Sequence, residues 1–333
     1  MSRWIALSDQ PDLPGEPRAG ALARGVLILE IDLPLAGAGV LLDLRMGAGR
    51  DEVALSLFHD LGAGIALLHR QGERLLRHVL PGPLPQKLGV ARLSFGWDCR
   101  ARGWWMTLEL GGQRLMARGD QALPMQLDHL RALCAGGEGV MRHPAVLWFG
   151  VMPGEEMPGP VAWLGMATPV MTPRGPVAAG RLRPGDRVMT RDSGAVALVG
   201  VTRLQVPSRG SLAPIRLRMP YFGRSMDMLV SPDQPVVVSG PEAEYLFGEE
   251  DVLVLARHLA DGQMAVIDSR RAVALGVVLD LGAAELVEAD GCLLATVGPA
   301  GATGTLRGAM RVLDAYEALP LRNAVQGMQR RVV

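Results

Sequence analysis

The sequence predicts an all-β protein, an antiparallel β-sandwich followed by a second β-rich domain. Three observations predict it. Up to about residue 150 the chain is a run of short apolar stretches, each closed by Gly, Pro or Asp, which is the pattern of strands joined by turns. The stretch PGEEMPGPVA (153–162) then sets three prolines among two glycines and two acids without periodicity, the composition of a linker. Beyond it, apolar stretches of strand length resume, with no helical heptads and no fixed-period repeat. The expected boundaries are a sandwich over 1–152, a linker over 153–162 and a second domain over 163–333.

In the first domain the strand candidates are GVLILEI (25–31), GVLLDLR (39–45), EVALSLF (52–58), GIALLH (64–69) and ERLLRHVL (73–80). KLGVARLSFGW (87–97), WWMTLEL (104–110), QRLMAR (113–118) and HPAVLWFGVM (143–152) follow. Gly111-Gly112 between two of them supplies the positive φ angles of a tight hairpin. MQLDHLRALC (125–134) fits either one short helix or a further strand. In WWMTLEL, strand alternation sends Trp104 and Trp105 to opposite faces, one into the core and the other outward, where it could meet a ligand or partner.

Composition excludes several classes of function. Net charge is zero, with acids and bases interspersed, so the basic footprint that nucleic-acid binding requires is missing. No segment reaches the roughly 20 apolar residues of a membrane-spanning helix; the best candidate, GVLILEIDLPLAG, contains Glu30 and Asp32. MSRWIALSDQPDLPGEPRAG lacks an apolar signal core, which points to a cytoplasmic protein or one exported by a route without an N-terminal signal. Cys99, Cys134 and Cys292 are too few and too scattered for a disulfide framework or a structural zinc site. No glycine-rich dinucleotide loop, Walker A sequence, HExxH or G-x-S-x-G occurs in the required context, so no cofactor is expected.

The strand–turn–strand order ending in LSFGWDCRARGWWMTLEL resembles the concanavalin-like jelly roll of laminin-G and legume-lectin domains. The resemblance implies binding of sugars or proteins at loop rims, sometimes through calcium. Asp43, Asp51, Asp60 and Asp98 are the candidate oxygen ligands, although single loop aspartates are ordinarily turn formers. Trp104 and Trp105 are the candidate contact residues.

The second domain carries the more specific pattern. TPRGPVAAGRLRPGDRVMTRDSG (172–194), MLVSPDQPVVVSG (228–240), YLFGEEDVLVLARHL and the closing RVLDAYEALPL resemble the bacterial branch of the Hint (hedgehog/intein) family, in the same order over about 160 residues. The resemblance implies a twisted β horseshoe and self-cleavage chemistry. In that chemistry a Cys or Ser opening the domain attacks the preceding carbonyl, and a histidine in a Ser-Pro-x-His segment handles the proton of the scissile nitrogen.

The family's motifs map onto this chain residue by residue. Thr168 takes the place of the family's Gly-Thr threonine, and the nucleophile position five residues earlier falls on Trp163. The Ser-Pro-x-His histidine becomes Gln234, and a later histidine falls on Ala284. An indole N–H is not a nucleophile, and an amide does not exchange a proton near neutral pH. No Cys, Ser or Thr lies anywhere from Pro153 to Ala167. Thr168, Asp186, Ser231 and His258 are retained. Asp186 is expected to make an Asx-type turn, Ser231-Pro232 to shape a turn, His258 to pack, and Gln234 to bond the backbone near Thr168.

The expectation is a binding or assembly protein with a protein partner, carrying a Hint-like domain that no longer cleaves itself. Residual self-cleavage near residue 162 by another nucleophile, and carbohydrate binding through the sandwich, are the alternatives.

Overall fold

The computed structural model describes residues 4–13, 19–154, 161–221, 225–296 and 310–329. The chain divides into two compact units, Ser2–Met157 and Pro158–Val333 with Met1. The division falls within the Pro/Gly-rich stretch, of which residues 155–160 lie outside the described residues.

The N-terminal unit is a sandwich of two antiparallel sheets. Among the described residues, one sheet orders its strands Ala6–Leu7, Val146–Pro153, Arg24–Leu33, Gly89–Asp98, Gly103–Leu110, Gln113–Asp120. The other orders them Val140–Arg142, Gly39–Met46, Val53–Asp60, Gly64–Gln71, Arg74–Pro81. All nine expected strands form. Between the sheets Leu27, Leu29 and Ile31 meet Leu55, Leu57, Ile65 and Leu67 in one buried cluster. At about 25 cal/mol per Å² of apolar surface removed from water, this contact is the unit's main driving force.

The 125–134 stretch resolves as the strand Met125–Gln126 leading into the helix Leu127–Ala135. Leu127, Leu130, Arg131 and Cys134 recur at helical spacing and are buried, and Gly136 ends the helix at φ 72°. The 110–113 hairpin closes through Gly111 (φ 54°) and Gly112 (φ 84°), with Leu110 paired to Gln113.

The two tryptophans occupy opposite faces, and each lies over a cross-strand glycine. Trp104 pairs with Gly119 and is half-buried against the core, its ring 4.8 Å from that of His78. Trp105 pairs with Gly96 on the other face, where a β-carbon on Gly96 would fall 2.1 Å from the Trp105 indole.

The C-terminal unit is built from two open sheets; neither closes into a barrel among the described residues. One runs Gly200–Pro207, Val273–Asp280, Leu164–Gly165, Met228–Val230, Ile215–Leu217, Ala265–Ile267. The second centres on Leu286–Ala289, Cys292–Ala295, Pro235–Ser239 and Asp251–Leu255. Val188, Val230, Val236, Val254, Val277 and Leu294 form the shared core. The β structure does not run to the end of the chain, as the sequence suggested. Val312–Leu313 adds a parallel edge to Asp251–Leu255, and the helix Ala315–Gln329 follows, burying Ala318 and Leu321.

The Gly96–Trp105 pair makes a testable packing demand. Gly96→Ala is expected to destabilise the N-terminal unit by about 1–3 kcal/mol, the usual cost of overpacking. Paired with Trp105→Ala it should cost less than the sum of the two single changes, as read by urea denaturation. Additivity would mean that the two residues do not share the space.

Candidate functional site

The Ser231-Pro232-Asp233-Gln234 knot lies against the start of the C-terminal domain. Ser231 clasps Trp163 from both sides: its N–H donates to the Trp163 carbonyl at 3.0 Å, and its Oγ accepts the Trp163 N–H at 3.4 Å. The knot is a turn, closed by the Gln234 N–H donating to the Ser231 carbonyl at 3.1 Å. The helix Ala256–Leu259 docks on it through backbone, with Ala256 N–H on the Gln234 carbonyl and Arg257 N–H on the Pro232 carbonyl, both at 2.9 Å, and through the Arg257–Asp233 ion pair.

Strand alternation then decides which side chains face the knot. Ala162 and Leu164 line a small recess with Gln234, Val287, Ala295 and Thr296. Its free space holds about one water molecule. Trp163, between them in sequence, turns to the opposite face of the sheet. There its indole packs on Leu204, Val206 and Ala274 and covers Gly276, whose β-carbon would lie 2.7 Å away. The sequence pointed to Trp163; it could not show that the recess is lined by Ala162.

Gln234 is 1% exposed. Its Nε2 donates to the Ala295 carbonyl at 2.7 Å and to the Pro235 carbonyl at 3.0 Å, so both amide hydrogens are committed. The expected partner near Thr168 is not the one found. Val236 pairs with Leu294, which brings the end of the strand Cys292–Ala295, and not Thr168, beside Gln234. Thr168 is fixed by its backbone: its N–H donates to Gly165, and its carbonyl accepts Ala179 N–H. The Thr168 Oγ1 is buried without a hydrogen-bond partner among the described residues.

Asp186 bonds nearby backbone, but backwards and so not as an Asx turn: its Oδ2 accepts the N–H of Arg183, three residues earlier, at 2.8 Å in a bend where Gly185 takes φ 92°. His258 connects to the knot at one remove. Asp233 pairs with Arg257, and Arg257 Nε donates to His258 Nε2 at 3.3 Å, which leaves the ring proton on Nδ1. Burial, and then the neighbouring Arg257 charge, lower the His258 pKa. Ala284 is buried and sits beside Glu285, a buried carboxylate that accepts the Ser193 hydroxyl at 2.9 Å. Glu285 also exchanges hydrogen bonds with Thr296, which reaches the recess wall. The structure thus gathers the backbone of Trp163, Ser231 and Gln234 at one place, with the segment of Ala284 alongside, and leaves Asp186 in a separate turn.

The aspartates weighed as calcium ligands do not converge. Asp60 accepts the N–H groups of Gly62 and Ala63, and Asp98 those of Arg100 and Ala101. These bonds hold both carboxyls below the usual carboxylate range, led by Ala63 and Ala101 respectively. Asp43 pairs with Arg45 and Ser56. The Asp51 side chain lies outside the described residues. Among the described residues no group of three or more metal-ligating side chains assembles.

With this geometry in place, residues 164–300 match the family model of the Hint domain. The C-terminal unit carries a Hint domain. Similar solved structures include the Ruminococcus gnavus IT-sialidase CBM40 bound to alpha2,3 sialyllactose, at 17% identity over 47% of this chain and 78% of that one, TM-score 0.26. Mouse laminin alpha1 domains LG4-5 are similar at 9% identity over 90% and 76%, TM-score 0.25. The enzymatically active domain of bacteriophage CBA120 tailspike protein 2 is similar at 19% identity over 37% and 21%, TM-score 0.24. No curated protein matches the chain. No helix among the described residues is long and apolar enough to cross a membrane.

The committed amide gives a prediction with a sign. Gln234→Leu strands two buried carbonyls and is expected to cost the C-terminal unit about 1–3 kcal/mol. Gln234→Glu sets a carboxylate against the same carbonyls, which raises its pKa above the unfolded value of about 4.3. The protonated form is the one tolerated, so this variant is most stable in acid and loses stability as pH rises through the raised value. Urea midpoints at about pH 5 and pH 7.5, each relative to wild type, measure this; an equal loss at both would place the side chain in water.

Proposed function

We propose that this is a non-enzymatic binding or assembly protein whose Hint domain is retained as a scaffold without self-cleavage. One observation carries the reading: the recess at the domain start is lined by Ala162, Leu164 and the doubly bonded Gln234, with Trp163 turned to the other face. Self-cleavage needs a nucleophile within reach of the Ala162 carbonyl and a group that can protonate the Trp163 nitrogen. An amide whose two hydrogens already serve carbonyls supplies neither, and Ala284 offers no side chain in place of a second histidine. The loss of several members of one catalytic unit removes its rate advantage far more completely than any single repair restores it. On this reading the two β units serve to hold a protein partner or to join a larger assembly.

A second reading, carbohydrate recognition by the N-terminal sandwich, rests on Trp105 alone. Its half-buried indole lies on the face opposite the core, whereas Trp104 is occupied by His78 and Phe95. A glycan array probed with the full chain and with Trp105→Ala separates the two. Binding lost in the variant favours the sugar, and no binding by either protein favours assembly.

Intact mass after prolonged incubation, with and without thiol, tests the leading reading. A single species of 35.5 kDa is expected throughout. Two fragments meeting near residue 162 would overturn it. Ser231, whose Oγ lies 3.4 Å from the Trp163 nitrogen, would then be the first hydroxyl to remove.

A further inference from the structure

Five of the six histidines, at 59, 69, 78, 129 and 143, belong to the N-terminal unit. Widely spaced in sequence, three of them fall on one face of one sheet. His59 lies on Val53–Asp60, His69 on Gly64–Gln71 and His78 on Arg74–Pro81, three consecutive antiparallel strands. Each shares the inward face of its strand with aliphatic core residues: Leu55 and Leu57, Ile65 and Leu67, Leu80. All three are at most 3% exposed.

Their surroundings favour the neutral ring. His78 packs on the rings of Phe95 at 5.1 Å and Trp104 at 4.8 Å, from the opposite sheet. His69 lies 3.1 Å from the Gln71 amide, with His78 and His129 as its charged or chargeable neighbours. His59 meets His143 edge-on at 6.4 Å, and Asp60 at its exposed strand end is the one acid that opposes the effect. The Nδ1 atoms of His59 and His78 are buried without a hydrogen-bond partner among the described residues. An imidazolium needs an acceptor for both ring N–H groups, and an unpaired charge in an apolar core is costly. Protonation would also place like charges side by side at His69, His78 and His129, and again at His59 and His143.

We propose that the N-terminal sandwich is a pH-gated unit: mild acid protonates His59, His69 and His78 and opens it, while the C-terminal unit, whose one histidine is the half-buried His258, stays folded. A partner held by the folded sandwich is then released in acid while the Hint domain persists.

The direction follows from linkage. Burial holds His69 and His78 down to about 4 against an ordinary 6.5, and also lowers His59. The unfolded chain therefore binds these protons first. The stability due to the neutral rings is fully present above pH 6.5 and drains away as pH falls towards 4. Two such groups change the opening equilibrium on the order of a thousandfold between pH 7 and pH 4.5.

Peptide-resolved hydrogen exchange on the full chain, with labelling times scaled for the intrinsic pH dependence, tests the proposal. Strands Val53–Asp60, Gly64–Gln71 and Arg74–Pro81 are expected to lose protection between about pH 6.5 and 4, at values where Val273–Asp280 keeps it. His78→Leu and His69→Gln should move that loss to lower pH, and His258→Gln should leave it in place. Where a core variant does not fold at neutral pH, ring-proton titration of the wild-type histidines decides, since the three rings should titrate together with the opening. Protection retained to pH 4, simultaneous opening of both units, or an opening unchanged in folded core variants would each overturn the proposal.

Discussion

The two-residue period of the β-strand is the constraint on which the candidate site depends. Leu164–Gly165 is only two residues long, yet it is pinned between Val230 on one side and Val277 and Gly276 on the other. A β-carbon on Gly165 would fall 2.9 Å from Leu229, so the strand has no room to shift. With that register fixed, Leu164 enters the core and Trp163 faces the opposite side, where its indole fills the space over Gly276. A one-residue slip would bury the indole in a recess that holds about one water and turn Leu164 out of the core. The indole is therefore structural where it stands. The reciprocal bonds from Ser231 fix its backbone as firmly as packing fixes its ring.

The same logic explains an amide at position 234. Two carbonyls, of Pro235 and Ala295, converge on one buried side chain, and a primary amide supplies two donors to meet them. A neutral imidazole supplies one. Each buried carbonyl left unmet costs on the order of 1–3 kcal/mol, so the seat as built favours glutamine over histidine. On the proposed reading this preference is how a Hint fold remains stable once the proton-transfer group is gone, because the replacement adds two hydrogen bonds between neighbouring strand ends.

Legibility in the sequence followed the range of the interactions. The sandwich strands were readable because each is an apolar block with Gly, Pro or Asp at its ends, and the Gly111-Gly112 and Pro-Gly-Asp turns because their chemistry is local. The helices Pro241–Phe247 and Ala315–Gln329 were not read from the sequence: the first is too short to show a period, and the second carries Pro320 and buries only part of one face. The partner of Gln234 lies 61 residues away and could be found only from the register of Val236 against Leu294. The alternation of Trp104 and Trp105 was legible, but which of them faces the core depends on what the opposite sheet presents, here His78 of Arg74–Pro81. The histidines, spread along the sequence, show no local pattern. Hairpins about ten residues long nevertheless bring residues 59, 69 and 78 onto neighbouring strands of one face.

The buried amide at the recess and the buried imidazoles of the sandwich thus take opposite forms. At the recess both N–H hydrogens of the buried amide are engaged, and its bonds join neighbouring strand ends, an arrangement that resists change because loosening it frees two carbonyls at once. In the sandwich two imidazole nitrogens are buried with nothing to engage, and the rings stay in place because they are uncharged and surrounded by apolar neighbours. A satisfied amide has no titration that alters its bonds. A buried imidazole gains a proton only in acid, and gaining it makes its position in the core untenable. On the proposed reading, in which the sandwich holds a partner and releases it in acid, keeping these two designs apart lets one unit respond while the other keeps its fold.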